Sequence, residues 1–381
     1  MAQTMSDLIF LSLEGWDDIW RRNQFVCAEL AARRPERRIL FVTPPRDLSY
    51  AARTAQWRLF RPVAPWSPQN LPNITVFTPT KWLPTSIAPG RAFNAAGARR
   101  QIAHQMRHLN IRRPVLWIND HSSAPLAGRL DESALIYDIT DDWSTFDQSE
   151  STRRRIVRAD ASLCQRADAV IVCSQRLLEL KRPLVAKSCR PHLVPNGVHV
   201  EHYATVSDRT CPLPPEAVGW PHPVFGYTGT VHPDRVDVDL LAEMARSLTR
   251  GSIALVGPDH LSAAHRQQLL ATGRVIITGP VPYAQVPNYM RAFDVCIVPH
   301  RMTPFTESLN PIKLWEYLAA GKPIVSTDVA GFRDYPHLVH LAKNAAQFRQ
   351  AAMTAVAGTA DSARAEVMRG IARQNSWHDR V

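Results

Sequence analysis

Asn310-Pro311-Ile312-Lys313-Leu314-Trp315-Glu316-Tyr317-Leu318-Ala319-Ala320-Gly321-Lys322-Pro323 reads as one short helix with both its beginning and its end marked. Asn310 is a favourable N-cap, Pro311 suits the first helical position, and Gly321 followed by Pro323 is a strong stop. The spacing predicts a helix over 311–320. Its opening turn gathers unpaired backbone N–H groups and the positive end of the dipole. Lys313 adds a full charge there, a combination that suits a diphosphate. Glu316 lies three residues further on the same face. A carboxylate touching phosphate would repel it, so Glu316 is suited to accept hydrogen bonds from hydroxyls, such as those of a ribose, one turn deeper. A plain amphipathic helix with an i,i+3 Lys–Glu pair explains the same residues, and the surrounding segments bear on the choice.

Short apolar runs alternate with helical patterns along the whole chain, which implies an α/β fold of parallel sheets with covering helices. In the first half, strands are expected at 8–13, 39–43, 74–78, 115–118, 134–138, 169–173 and 192–195, with helices at 23–33, 99–109 and 156–166 among them. A second series places strands at 224–227, 252–256, 274–278, 295–298 and 324–326, with helices at 239–248, 262–270, 286–292, 311–320 and 345–357. Two doubly wound, Rossmann-like domains follow, joined near 207–221, where Cys211-Pro212-Leu213-Pro214-Pro215 breaks any regular element. The expected division is 1–207, 208–360 and a closing segment 361–381. A ligand of such domains sits at the carboxyl ends of the strands, where the sheet order reverses.

A chain of 381 residues suits two domains with separate cores. Six cysteines without CxxC spacing fit a reducing compartment, with neither disulfides nor a zinc site expected. The opening residues 1–13 lack a basic n-region, and no apolar run approaches bilayer length, so a cytoplasmic protein is expected. The formal charge of +11 is uneven: residues 1–200 carry 28 Lys/Arg against 18 Asp/Glu, and residues 201–381 carry 17 against 16. Arginine stretches such as Arg153-Arg154-Arg155 suit anionic lipid or a phosphate-bearing acceptor, and equally a solvated surface. Trp57, Trp66 and Trp82, set among basic residues and prolines, suit a membrane interface. Nucleic acid is not an expected partner, because the basic residues are scattered and no binding module accompanies them.

Phe225-Gly226-Tyr227-Thr228-Gly229-Thr230 ends a buried strand at a glycine that would let backbone approach a phosphate, although tight packing explains it as well. The GxGxxG fingerprint is absent, which removes the main support for hydride chemistry. In Leu135-Ile136-Tyr137-Asp138-Ile139-Thr140-Asp141-Asp142 three carboxylates crowd the end of a strand. Repulsion that raises the pKa of one would suit a general base; N-capping and metal binding are the other uses, the last without a convincing ligand spacing. Gly279-Pro280-Val281-Pro282 makes a stiff apolar loop that would lie against a nucleobase or serve as a plain turn, and Pro195-Asn196-Gly197-Val198 is a turn signal. His121, His199, His232 and His300 flank strand ends without catalytic spacing and read as structural.

With these residues in order, the chain resembles the GT-B glycosyltransferases, specifically the bacterial group-1-like branch that assembles exopolysaccharides and includes the xanthan glucuronosyltransferase. The likeness rests on residues 310–323, on Ala167-Asp168-Ala169-Val170-Ile171-Val172-Cys173-Ser174 with Val194-Pro195-Asn196-Gly197-Val198, and on residues 137–146. The resemblance implies two Rossmann-like domains facing a central cleft. The nucleotide-sugar donor, a UDP-sugar, is held mainly by the second, a glycan or lipid-linked acceptor is the partner, and the closing segment packs back on the first. By position, Lys313 would neutralise the donor diphosphate, Glu316 would bind the ribose and Asp141 would be the catalytic base. Arg235 stands about where relatives carry a phosphate-binding lysine, and Thr230 replaces an arginine that often follows the loop glycine. The implied donor site is therefore Gly229, Thr230, Arg235, Pro280, Val281, Asn310, Pro311, Ile312, Lys313 and Glu316, with no metal or other cofactor. Retaining relatives carry a Glu-x7-Glu pair ending at the position of Glu316; here Ser308 stands in the first place and Glu307 misses the register by one, which favours inversion over retention. A sugar-nucleotide epimerase and a noncatalytic binding subunit are the other readings of the same scaffold.

Overall fold

The computed structural model describes residues 6–208, 211–357 and 361–381. Residues 1–5 of the opening segment, 209–210 of the expected link and the expected boundary at 360 lie outside the described residues. Two compact units form, one from residues 6–144 and 148–194 with Val381, the other from 145–147 and 195–380.

In the first unit the apolar runs become β1 (Leu8–Leu11), β2 (Ile39–Val42), β3 (Ile74–Phe77), β4 (Val115–Ile118), β5 (Ala134–Ile139), β6 (Ala169–Val172) and β7 (Pro191–Leu193). They make a parallel sheet in the order β3-β2-β1-β4-β5-β6-β7, with Leu8 of β1 level with Ile39 of β2 and Val115 of β4. β1 and β2 are buried at every position, as strands covered on both faces must be. The order reverses between β1 and β4, where buried Asn23 donates to Ser12 Oγ (2.8 Å) and to Asn119 Oδ1 (2.7 Å) just past the two strand ends.

The second unit repeats the plan with β8 (Val224–Thr228), β9 (Ser252–Val256), β10 (Val275–Gly279), β11 (Val295–Val298), β12 (Ile324–Thr327) and β13 (Val339–Ala342), in the parallel order β10-β9-β8-β11-β12-β13. Alternate side chains feed two cores. Val224, Ala254, Cys296 and Ile324 enter one with the Ile312–Ala320 helix, while Phe225, Ile253, Ile297 and Val325 enter the other with the Val238–Ser247 helix. Gly226 is glycine for a packing reason: a Cβ there would lie 2.1 Å from the Phe293 ring.

The structure departs from expectation in four places. The first unit ends at Val194, not at 207, because Val198, Val200, Tyr203 and Val206 all belong to a core of the second unit. The closing segment also packs within the second unit. Met368 and Ala372 enter its core, and Val198 exchanges backbone hydrogen bonds with Asn375 and Trp377. The Ala88–His108 helix begins well before the expected 99, and the short strand β13 and the Ser362–Arg373 helix were not anticipated. Among the described residues no helix is long and apolar enough to cross a membrane.

Gly226→Ala is expected to cost about 1–3 kcal/mol through overpacking against Phe293. The check is a lower urea midpoint at an unchanged slope.

Candidate functional site

The decisive helix spans Ile312–Ala320 and stops at Gly321 in the left-handed conformation (φ 66°). Its N-cap is Pro311, with no side-chain cap. Asn310 is not the cap because its side chain is already engaged: Oδ1 accepts from the Asn196 backbone N–H (2.8 Å), and the Asn196 side chain donates back to the Asn310 carbonyl. Asn196 is held in turn by its neighbour, since a Cβ on Gly197 would meet the Trp377 backbone nitrogen at 2.7 Å. Pro311 packs on Gly331, and Ile312 remains partly exposed at the helix opening.

Lys313 does not pair with Glu316; among the described residues no carboxylate lies within ion-pair distance of its ammonium. It reaches instead over the Tyr227 ring, with Nζ 5.1 Å from the centroid, and against the backbone of Gly229. A Cβ at 229 would stand 2.7 Å from both Cε and Nζ of Lys313, and φ is +118°, so only glycine fits on both counts. The loop is fixed by Gly229 N–H donating to the Val256 carbonyl (2.8 Å) and by the Tyr227 hydroxyl donating to the Thr230 carbonyl (3.2 Å).

Arg235 stands over the Phe305 ring at 5.3 Å, and its carbonyl accepts from the Arg301 backbone (2.7 Å). His300, directly after β11 at the point where the sheet order reverses, lies close enough to feel both cations. Burial first, then Lys313 and Arg235, hold its imidazole well below the ordinary histidine range, so the ring is neutral. Its Nε2 is buried without a partner. The sequence reading missed His300 as a site residue; its place after a central strand at the reversal point was the available signal.

Glu316 keeps some surface exposure, yet its carboxylate lies deep enough that burial raises its pKa, against the opposing effects of Tyr203 and Lys313. Tyr203 donates to Oε1 (2.7 Å), which leaves Oε2 for another donor. Tyr283 stacks on His202 (ring centroids 4.2 Å) and is pushed upward in pKa by burial and by Glu316, which brings the 279–283 loop to the Glu316 end of the site. Within that loop Val281 turns into the core, so the surface it offers is Gly279 and Pro280 rather than Val281.

The acidic run of the first unit is less crowded than its sequence suggests. Asp138 is fully buried and gripped by Arg22 through two contacts of 3.2 Å, with the Trp117 indole at 3.3 Å. Asp142 accepts from Ser144 and lies 3.9 Å from Lys181, which itself pairs with Asp160 at 2.9 Å. Asp141 is partly exposed and accepts from Thr140 Oγ1 (3.1 Å). Mutual repulsion among the three is therefore relieved by separate partners. A cavity of about 840 Å³ opens at the carboxyl ends of β1, β2 and β4 in the same unit, lined by Thr43, Asp120 and His121 among others. Burial lowers the pKa of His121, which Asp120 and Asp160 partly offset. In the second unit Ser308 is wholly buried and Glu307 is bound by Arg333 at 3.0 and 3.1 Å. Among the described residues no three His, Cys, Asp or Glu side chains are grouped to hold a metal ion.

A seven-stranded and a six-stranded parallel sheet, the second with a cationic site at its reversal point, belong to a glycosyltransferase of the GT-B fold. Residues 222–357 match the family described as glycosyl transferases group 1. Over 285 residues, 71% of this chain and 70% of the relative, the sequence is 29% identical to TuaH of Bacillus subtilis (strain 168), a proposed teichuronic acid biosynthesis glycosyltransferase. Among solved structures, sucrose-phosphate synthase from Thermosynechococcus elongatus superposes with a TM-score of 0.72 at 16% identity, covering 98% of this chain and 96% of that one. HepE of Anabaena in complex with UDP-glucose gives 0.67 at 15% identity, covering 98% and 96%. An α,α-trehalose-phosphate synthase (UDP-forming) from Burkholderia vietnamiensis gives 0.67 at 15% identity, covering 98% of each chain.

Arg22→Met is expected to cost about 3–5 kcal/mol, because it strands the Asp138 carboxylate in the core. Denaturant unfolding checks this, and adding Asp138→Asn should restore part of the loss.

Proposed function

We propose that the chain transfers a sugar from a UDP-sugar, held by the second unit, to a hydroxyl of a glycan or lipid-linked acceptor. The transfer is a single inverting displacement with Asp141 as general base and without a metal. The observation that carries this reading is the convergence of Lys313, Arg235 and neutral His300 beside Gly229, with the Glu316 carboxylate one turn further along the helix. Diphosphate suits the first group, and ribose hydroxyls suit the free oxygen of Glu316. The UDP-glucose complex of HepE and the UDP-forming relative support UDP as the nucleotide. The role named for TuaH supports assembly of a bacterial polysaccharide, with the exopolysaccharide branch as the finer assignment. The basic first half and exposed Trp57, Trp66 and Trp82 support work at the cytoplasmic face of an anionic membrane.

Inversion is supported by the fate of the Glu-x7-Glu register. Ser308 is buried and Glu307 is held by Arg333, so neither offers a free carboxylate to a sugar. In the proposed step the acceptor hydroxyl attacks the anomeric carbon as the base takes its proton, and the bond to the β-phosphate oxygen breaks. Lys313 and the helix N-terminus meet the charge on the departing UDP. A second base, His121, is favoured by one observation: its imidazole is neutral and lines the first-unit cavity, whereas Asp141 does not.

Substitution, product stereochemistry and pH dependence test this reading. Lys313→Ala should weaken UDP binding by about 10- to 100-fold, as loss of a charged hydrogen-bond donor does, measured by calorimetry. Asp141→Asn should lower kcat by about 10²- to 10⁴-fold with UDP affinity retained; if His121→Gln alone does so, the base is His121. Proton NMR of the product should show the anomeric configuration inverted; retention, or donor conversion without acceptor, contradicts the proposed step. UDP affinity should also fall as pH drops through the raised pKa of Glu316, since protonation removes its acceptor oxygen. Tyr203→Phe should move that fall to higher pH, because it removes a hydrogen bond that favours the carboxylate.

A further inference from the structure

The Ala88–His108 helix of the first unit closes on two histidines one turn apart. His104 and His108 are both exposed, and residues four apart in a helix share a face. Their Nε2 atoms lie 3.0 Å from each other, and neither ring makes another hydrogen bond among the described residues. The rings stand nearly perpendicular, at 84°, with centroids 4.4 Å apart.

Two neutral imidazoles can share one hydrogen bond at this distance. A straight bond, however, would hold the centroids about 5.3 Å apart, because both nitrogens would then point along the line that joins them. Two rings that bind one metal ion come closer together. With metal–nitrogen bonds of about 2.0–2.1 Å, nitrogens 3.0 Å apart subtend about 91–97° at the metal and bring the centroids to about 4.7 Å. The observed separation lies nearer to the second arrangement.

An angle close to 90° also selects the metal. Tetrahedral zinc asks for about 109°, with nitrogens about 3.3–3.4 Å apart, whereas tetragonal Cu²⁺ and Ni²⁺ ask for about 90° between neighbouring ligands. Imidazole suits both of these ions, and Cu²⁺ stands first in intrinsic affinity. Magnesium and calcium do not fit, since they take oxygen ligands and among the described residues no carboxylate joins the pair. Charge attraction contributes little here. The carbonyl end of the helix dipole favours a cation, but Arg100 and Arg107 lie on the same side of the helix. Binding therefore rests on coordination by the two nitrogens, with the remaining positions left to water.

The pair sits away from the chemistry of the first unit. Leu109, directly after the helix, accepts from Arg38 (2.8 Å), directly before β2, which places the histidines at the amino-terminal edge of the sheet. The large cavity and Asp141 lie at the carboxyl edge.

We infer that His104 and His108 form a surface chelate for a transition-metal dication of tetragonal preference, Cu²⁺ ahead of Ni²⁺. The site is independent of the proposed sugar transfer.

The test titrates the full chain, free of any affinity tag, with Cu²⁺, Ni²⁺ and Zn²⁺ in a buffer that does not bind metal, followed by calorimetry. The unsubstituted chain should take up a Cu²⁺ equivalent that His104→Gln and His108→Gln each weaken by at least the cost of losing an outer-shell partner, about 10- to 100-fold. Electron paramagnetic resonance of that equivalent should show a tetragonal signal that both substitutions remove. Ni²⁺ should bind about tenfold or more tightly than Zn²⁺. Unchanged Cu²⁺ affinity in both variants overturns the site, and a loss in one variant alone overturns the chelate in favour of a single ligand. Zn²⁺ bound as tightly as Ni²⁺ overturns the right-angled geometry. Both positions are exposed, and thermal melting without metal checks that the variants keep the fold. UDP affinity should be the same in the variants and the unsubstituted chain, so this result stands apart from the fate of the glycosyltransferase reading.

Discussion

An ammonium lying against bare backbone is the constraint around which the second unit is organised. Lys313 occupies the space that any side chain at 229 would fill, and the Tyr227 ring closes its other side. That arrangement needs β8 to end at Gly229 in a conformation only glycine adopts readily. It also needs Gly257 beside it, where a Cβ would strike the Gly229 carbonyl at 2.4 Å. The helix that delivers Lys313 is positioned from far along the chain. Trp377 lies on Gly197, Asn196 is thereby fixed, and its exchange with Asn310 sets where the helix begins.

Charge is then sorted along the site. Cations and a neutral imidazole gather at the glycine loop, while the one carboxylate of the helix is held back by the Tyr203 hydroxyl and the protein around it. An anion at the loop meets fixed N–H groups and a lysine with no competing acid, whereas a hydroxyl-bearing group fits at Glu316. The first unit treats its acids the opposite way: Asp138 and Asp142 have their own cations, and it is arginines that face open space.

Much of the fold was legible because strands covered on both faces are continuous apolar runs, and twelve of the thirteen sheet strands need only the rule that such runs alternate with helices. Val339–Ala342 was not legible, since four residues with a histidine at an edge carry little signal, and Gly90 and Gly97 disguised the start of the Ala88–His108 helix. Lys313, Glu316 and Gly229 could be picked out because a helix start and a strand-end glycine are local features. The role of Asn310 was misread because its partner is Asn196, 114 residues away. The partner that relieves crowding in the acidic run was hidden for the same reason, with Arg22 lying 116 residues from Asp138. The proline-rich break after Cys211 drew attention from the true boundary at Val194, which is set by where Val198, Val200 and Tyr203 find a core.

The central claim is that a diphosphate rests on the opening turn of the Ile312–Ala320 helix beside Gly229 and Lys313. A crystal structure of the chain grown with UDP tests it most directly. The account predicts diphosphate density within hydrogen-bond distance of Lys313 Nζ and the first-turn amides, with the ribose against Glu316. UDP bound elsewhere, or with its ribose at Lys313 and its phosphates away from the helix start, would contradict it.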